Sequence, residues 1–458
     1  MKKIRIGSGA GYAGDRIEPA VELMEKGNLD YIIFECLAER TVAIGQKDRA
    51  ADSSKGYNRL LEYRMERILP LVVKNHVKVI TNMGAANPQA AAAVTEQLAE
   101  KLGLSGIRIA YVTGDDIFGE LASYYGNTVL ENGRKLGEMK ESLISANVYM
   151  GAEGIAEALA GGADIVITGR VSDPALTIAP LVHEFHWNIT DNPDQMGQAV
   201  LAGHLLECAG QVTGGYYADP GYKEVPDLAR LGFPLVEVDE SGAFTVTKVE
   251  GSGGLVSTDT CKEQLIYEIH NPGAYLTPDA VADFSGVTFT QLGRDEVRAE
   301  HACSHGRPET LKVSIGYHDC YIGEGEISYG GSNCLARAKL AASIVKERIA
   351  LTGIQLEEYR VDYIGCNSLF RDKISEEIAG SAKETCAYAP VEVRLRISGR
   401  AHDRQQAQLL ANEVEALYTN GPAGGGGAVK RVESVVSVCS IFVPRESVSW
   451  RVDYLDVR

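Results

Sequence analysis

The stretch from Lys3 to Glu35 constrains this chain most. The apolar run Ile4-Arg5-Ile6 leads into a glycine-dense segment, Gly7-Ser8-Gly9-Ala10-Gly11-Tyr12-Ala13-Gly14-Asp15. A helix-like stretch from Arg16 to Glu25 follows. A second apolar run, Asp30 to Phe34, ends on Glu35. The order is strand, glycine-rich turn, helix, strand, acid.

Gly9, Gly11 and Gly14 stand at G-x-G-x-x-G spacing. Glycine permits the tight bend and lets an anionic ligand approach the backbone. Free N–H groups at the following helix start favour negative charge. Glu35 falls about where the dinucleotide fingerprint carries its ribose-binding acid. Two readings stay open: a tight turn that binds nothing, or a ligand-facing loop with Tyr12 and Asp15 beside the anion. Phosphate, carboxylate and CoA pyrophosphate all fit the second.

Strand-like and helix-like segments then alternate. Lys78 to Asn82 reads as a strand before a helix from Gln89 to Leu102. Ile107 to Val112 is a strand ending in Thr113-Gly114-Asp115-Asp116, and Asp164 to Thr168 is one ending in Gly169-Arg170. This predicts an α/β fold, a parallel sheet with helices on both faces. Ligands bind beyond the carboxyl ends of such strands. Gly9, Glu35, Asn82, Asp115, Asp116, Arg170 and Asp173 are therefore expected to share one crevice.

Arg170 can hold a carboxylate or phosphate through two parallel hydrogen bonds; a structural ion pair is the alternative. Ser172 or Asp173 could cap the next helix, with Pro174 at its first position. In a helix from Pro193 to about Gly210, His204, Glu207, Cys208 and Gln211 are spaced by three, four and seven. They would share one face. Metal ligation, acid–base chemistry and a satisfied buried histidine are all compatible with that face. His301, Cys303 and His305 alternate but lack a fourth ligand, so they read as a chance grouping.

Short alternating strands occupy Phe233 to Phe289, with a helix capped within Ser257 to Thr260 and running to Ile269. A long helix covers Cys334 to Leu351. Residues 1–357 form the predicted α/β domain, with a possible sub-boundary near 222–232. Residues 358–458 read as a smaller α+β module of ferredoxin-like kind. Its expected strands are Tyr359–Ile364, Val391–Ile397, Val432–Val438 and Trp450–Leu455, and its helices Lys373–Lys383 and Arg404–Tyr418. Gly421 to Gly427 reads as a flexible loop.

With 458 residues, 45% of them hydrophobic, the chain can fill large cores. A net charge of −17 argues against a nucleic-acid partner. No run is long enough to cross a membrane and no signal-peptide pattern opens the sequence, so a cytoplasmic location is expected. Nine dispersed cysteines without a C-x-x-C pair read as reduced, mostly buried thiols.

Several segments together resemble one family: Gly9 to Asp15, Thr168 to Asp173, Gly203 to Cys208, Gln211 to Gly215 and Lys262 to Ile269. The chain is similar to the acyclic terpene utilisation (AtuA-like) family, formerly a domain of unknown function, over about residues 3 to 350. Its tail resembles the ferredoxin-like module that accompanies that family, fused here. The resemblance implies bacterial catabolism of branched acyclic terpenes through acyl-CoA intermediates. It carries over no catalytic residues.

The leading expectation is a lyase, either a hydratase (hydro-lyase) or a carbon–carbon lyase. Its substrate would be a branched hydroxy- or unsaturated carboxylate or its CoA thioester. The glycine loop would hold the anionic end and Arg170 a carboxylate, while Asp173, His204 or Glu207 moves a proton. An NAD(P)-dependent oxidoreductase and a non-catalytic assembly partner are the alternatives. A small-molecule ligand and a homo-oligomer are expected. The residues specify no cofactor and no metal set.

Overall fold

The computed structural model describes residues 2–371, 373, 374, 377 and 390–458. The chain divides into two compact units, Met1–Tyr317 with Val438–Arg458, and His318–Ser437.

In the first unit the strands, in chain order, are β1 (Lys3–Ala10), β2 (Tyr31–Phe34), β3 (Lys78–Thr81), β4 (Arg108–Thr113), β5 (Leu143–Val148), β6 (Ile165–Thr168), β7 (Pro234–Asp239) and β8 (Phe244–Lys248). There follow β9 (Tyr275–Leu276), β10 (Val281–Asp283), β11 (Thr288–Gly293), β12 (Glu296–Glu300) and β13 (Cys303–Ser304). Strands β1, β2, β3, β6 and β4 lie side by side and parallel. Their helices are α1 (Glu18–Lys26), α2 (Glu39–Ala51), α3 (Leu61–Asn75), α4 (Pro88–Lys101), α5 (Glu153–Ala160), α6 (Ala175–Phe185) and α7 (Pro193–Glu207).

Every residue of β2 and β6 is buried. Alternation explains it: Ile32, Phe34, Val79 and Ile167 pack with Leu23 of α1, Ile68 of α3 and Ala91 of α4. Tyr31, Ile33, Ile80 and Val166 pack with Ile155 of α5, Ile178 of α6 and Leu205 of α7. A strand covered on both faces has no polar side, which is why these runs read as continuous apolar sequence.

The sheet differs from an all-parallel one. It has ten strands, extended beyond β1 by antiparallel β7, β8, β12 and β11. At its other edge Arg451–Asp456 pairs antiparallel with β4, Val452 opposite Val112. That last strand was expected in the small module. Its alternation marks a strand but not its neighbour, and Val452 and Tyr454 pack against the core beneath α5 and α6.

Helix α7 is buried at every residue from Met196 to Glu207. It stops at Glu207, and Ala209–Gln211 continues as a 3₁₀ turn. Helix α8 (Thr258–Ile266) starts as expected, with Ser257 Oγ accepting from Thr260 N at 3.2 Å.

The second unit holds the later part of β14 (Thr310–Gly330), α9 (Cys334–Thr352), β15 (Glu358–Ile364), β16 (Glu392–Ala401), a helix Arg404–Glu415 and most of β17 (Gly425–Pro444). The sheet order is β15-β16-β14-β17. Ile327, Leu395 and Ile397 share one core with Ala338, Val345, Leu410 and Val414. The expected break at 357/358 therefore moves to 317/318, because Tyr321–Gly330 pairs with β16 and α9 packs on the same core. The supposed loop Gly421 to Gly427 is strand from Gly425 onward. Most of the expected helix Lys373–Lys383 lies outside the described residues.

Candidate active site

A cleft of about 1060 Å³ opens in the first unit. It is reached by residues just beyond the carboxyl ends of β1, β2 and β6, as expected of an α/β sheet. Two close approaches assemble it. A Cβ on Gly11 would sit 2.6 Å from the Cys208 carbonyl carbon, so the glycine turn abuts the end of α7. A Cβ on Gly203 would sit 2.7 Å from Pro174 Cα, which brings the segment after β6 against α7. Neither contact admits a larger residue without displacement.

Gly11, Tyr12, Asp15, Glu35, Arg170, Asp173, His204 and Glu207 line the cleft, with Cys208 and Gln211. Gly9, Gly14, Asn82 and Asp115 do not. Gly9 lies under the Phe34 ring and Gly14 beside Tyr12. Asn82 is buried behind Glu35, donating to its Oε1 at 3.0 Å and accepting from Cys36 N at 2.7 Å. Asp115 is buried and accepts from Arg170 N at 2.9 Å and Asn147 Nδ2 at 2.8 Å. Burial pushes its carboxyl up to about 6. Both residues brace cleft residues rather than face the cleft.

The glycine turn is not an open anion cradle. Asp15 Oδ2 accepts from Gly11 N at 2.9 Å, and Asp15 Oδ1 from Arg16 N at 2.8 Å. The chain's own carboxylate fills the place an anionic ligand would take. Nor is Glu35 disposed as a ribose acceptor: Oε1 is held by Leu37 N at 2.9 Å and by Asn82.

Arg170 is 2% exposed. Its Nη1 donates to Leu37 O, its Nη2 to Asp173 Oδ1 at 3.0 Å, and its guanidinium lies 4.0 Å from the Tyr149 ring centre. Two donors of the fork expected to grip a substrate carboxylate are thus engaged inside the protein, while its buried Nε has no partner among the described residues. Asp173 caps nothing by its side chain; Pro174 is the N-cap of α6, and Asp173 instead pairs with Arg170.

Burial dominates the carboxyl groups here. It pushes Glu35 up to about 8, helped by Asp173 and opposed by Arg170. It also raises Asp173, against the pull of Arg170. Glu207 is raised by burial, against the pull of His204. For His204, burial alone would lower the imidazole, but Glu207 and two backbone hydrogen bonds outweigh it and raise it. Glu39, four residues past Glu35, goes the other way. Burial is overcome by the Tyr149 hydroxyl, Lys312 and Arg170, which hold it down at about 2.

Sequence reading missed Glu39 and Tyr149, both of which line the cleft. Glu39 carried a signal, standing at the start of α2 shortly after Glu35. Tyr149 follows β5, a strand outside the parallel set, and carried none. The described cysteines are all free. His301 and His305 bond to Thr288 and Asp283. Among the described residues no group of three or more His, Cys, Asp or Glu side chains could hold a metal ion. No described helix is long and apolar enough to cross a membrane.

No curated protein matches the chain. The profile of the acyclic terpene utilisation family protein AtuA matches residues 4–454, reaching through the tail that the resemblance left to a separate module. Membership implies a role in acyclic terpene catabolism. The chain belongs to the acyclic terpene utilisation family, AtuA.

Proposed function

We propose that the cleft is the active site of a hydro-lyase, acting on a branched hydroxy- or unsaturated carboxylate or its CoA thioester. One observation carries this reading. Three carboxyl groups from separate chain segments meet in the cleft, each anchored through a single oxygen: Glu35 by Leu37 N and Asn82, Asp173 by Arg170, Glu207 by His204. Of their second oxygens, Glu207 Oε2 is buried with no hydrogen-bond partner among the described residues. Fixed, half-satisfied carboxyls are what general acid–base chemistry needs.

Elimination of water requires one acid and one base. Glu35, held at about 8, keeps its proton at neutral pH and is the acid. The base takes the proton on the carbon next to the carbonyl. Its electron pair forms the double bond, the carbon–oxygen bond breaks, and the Glu35 proton leaves with the hydroxyl as water. Hydration is the reverse. Arg170 is a positioning residue that steadies Asp173. Arg16, exposed at the cleft with no side-chain partner among the described residues, is free to meet the anionic end of the substrate.

We further propose that the second unit is a ferredoxin-like sandwich. The order strand–helix–strand–strand–helix–strand, with sheet order β15-β16-β14-β17, supports it. The test of function follows enoyl absorbance with branched enoyl and 3-hydroxyacyl substrates. Glu35→Gln should lower kcat by about 10²–10⁴-fold with the fold intact. Wild-type turnover in that variant would remove Glu35 as the acid.

A further inference from the structure

The carboxyl that takes the substrate's proton can be chosen from the hydrogen bonds around α7. His204 is 1% exposed, and both its ring nitrogens are engaged. Nε2 lies 3.1 Å from the Leu265 carbonyl oxygen and Nδ1 2.8 Å from Glu207 Oε1. A carbonyl only accepts, so Nε2 carries a hydrogen. Nδ1 and Oε1 must then share one further proton, since two lone pairs at that distance would repel.

Three consequences follow. His204 cannot itself take a proton from a substrate, because one nitrogen is locked on a carbonyl and the other on Glu207. Glu207 is held in one orientation, its side chain 11% exposed, its Oε2 without a partner and its carboxyl at the cleft wall. When the shared proton rests on Nδ1, the carboxylate charge remains available at Oε2. The imidazolium then sits in the last turn of α7, where the terminal carbonyls favour a cation.

Asp173 is the poorer base. It is bound to a guanidinium that cannot give up its proton, and about a third of its side chain is open. The groups that face the pair are Asp173, Glu268 and Cys208, together with the Tyr275 ring, whose centre lies 5.3 Å from that of His204.

We propose that Glu207 Oε2 accepts the carbon-bound proton of the substrate and that His204 is its positioning residue, fixing the carboxylate and holding it ionised. This rests on the hydro-lyase reading. The proton moves from carbon to Oε2, and the carbon keeps the electron pair that becomes the double bond. The product state is a neutral Glu207 beside an imidazolium.

The test has two arms. In kinetics, Glu207→Gln should lower kcat by about 10²–10⁴-fold with KM little changed. His204→Gln should move the acid limb of the kcat–pH profile upward, because Glu207 loses the cation that favours its ionised form. Mere structural damage would lower kcat at every pH and leave the limb in place. In the ligand-free protein, nitrogen NMR of the His204 ring should show Nε2 protonated throughout and Nδ1 titrating, with a lower midpoint in Glu207→Gln. Full turnover in Glu207→Gln, or an unmoved limb in His204→Gln, overturns the proposal. If wild type turns over none of the substrates, the hydro-lyase reading falls. The NMR arm still judges the pair, and a His204 titrating identically in Glu207→Gln overturns it.

Discussion

The two units treat buried carboxylates in opposite ways. In the second unit Asp362 is 3% exposed, and Arg360 Nε bonds one of its oxygens while Arg396 bonds the other. Asp319 takes Arg400 on both oxygens, with Ser437 added. In the cleft of the first unit, Glu35, Asp173 and Glu207 line the wall, each bonded through one oxygen, and Glu207 Oε2 is buried with no partner among the described residues. Saturation on both oxygens marks a carboxylate that organises a sheet face. Half-saturation marks one that can exchange a proton with something that enters.

The comparison can be broken by measurement. The largest expected effect after loss of turnover is on pH dependence. Glu35 binds its proton more tightly in the folded state, about 8 against an ordinary 4.5. Its contribution is therefore full below about pH 4.5 and is lost as pH rises toward 8. At about 1.4 kcal/mol per unit, the difference amounts to on the order of 5 kcal/mol. Thermal melts from pH 5 to 9 should show wild type losing ground to Glu35→Gln across that window and running parallel above it. Parallel curves throughout would mean that Glu35 is not protonated in the fold.

Next comes the saturated counterpart. Asp362→Asn leaves Arg360 and Arg396 without their shared anion. Breaking a fully buried pair costs about 3–5 kcal/mol. These arginines are partly open, so about 2 kcal/mol is expected in urea unfolding of the full chain, with turnover per folded molecule retained. A loss of turnover without a loss of stability would reverse the roles assigned to the two regions. Comparable in size is Gly203→Ala, where an added methyl meets Pro174. Overpacking of this kind costs about 1–3 kcal/mol. It should also lower kcat more than it raises KM, because it pushes the Asp173 segment away from His204.

The parallel strands were legible because burial on both faces leaves unbroken apolar runs such as Tyr31 to Phe34. The rule that ligands gather at carboxyl ends of strands then found Glu35, Arg170 and Asp173 without any coordinates. The helical spacing of His204 and Glu207 was legible for the same kind of reason, since a period is local. Partners are not local. Nothing in the sequence says that Asp15 turns back onto Gly11 N, or that Leu37 O lies in the path of the Arg170 fork. Both facts engage part of each expected ligand-facing group within the protein. The strand Arg451–Asp456 was misplaced because alternation records a pleat and not its neighbour.

One feature of α7 sets where motion can occur. A helix enclosed at every residue from Met196 to Glu207 can loosen only when the surrounding domain does. The proton-sharing pair at its end is therefore as stiff as the domain itself. Adjustment to an arriving ligand then falls to exposed lining residues such as Tyr12 and Tyr216. Substrates of different length would then be distinguished by how these two tyrosines settle on them, while the reacting end meets the same unyielding geometry each time.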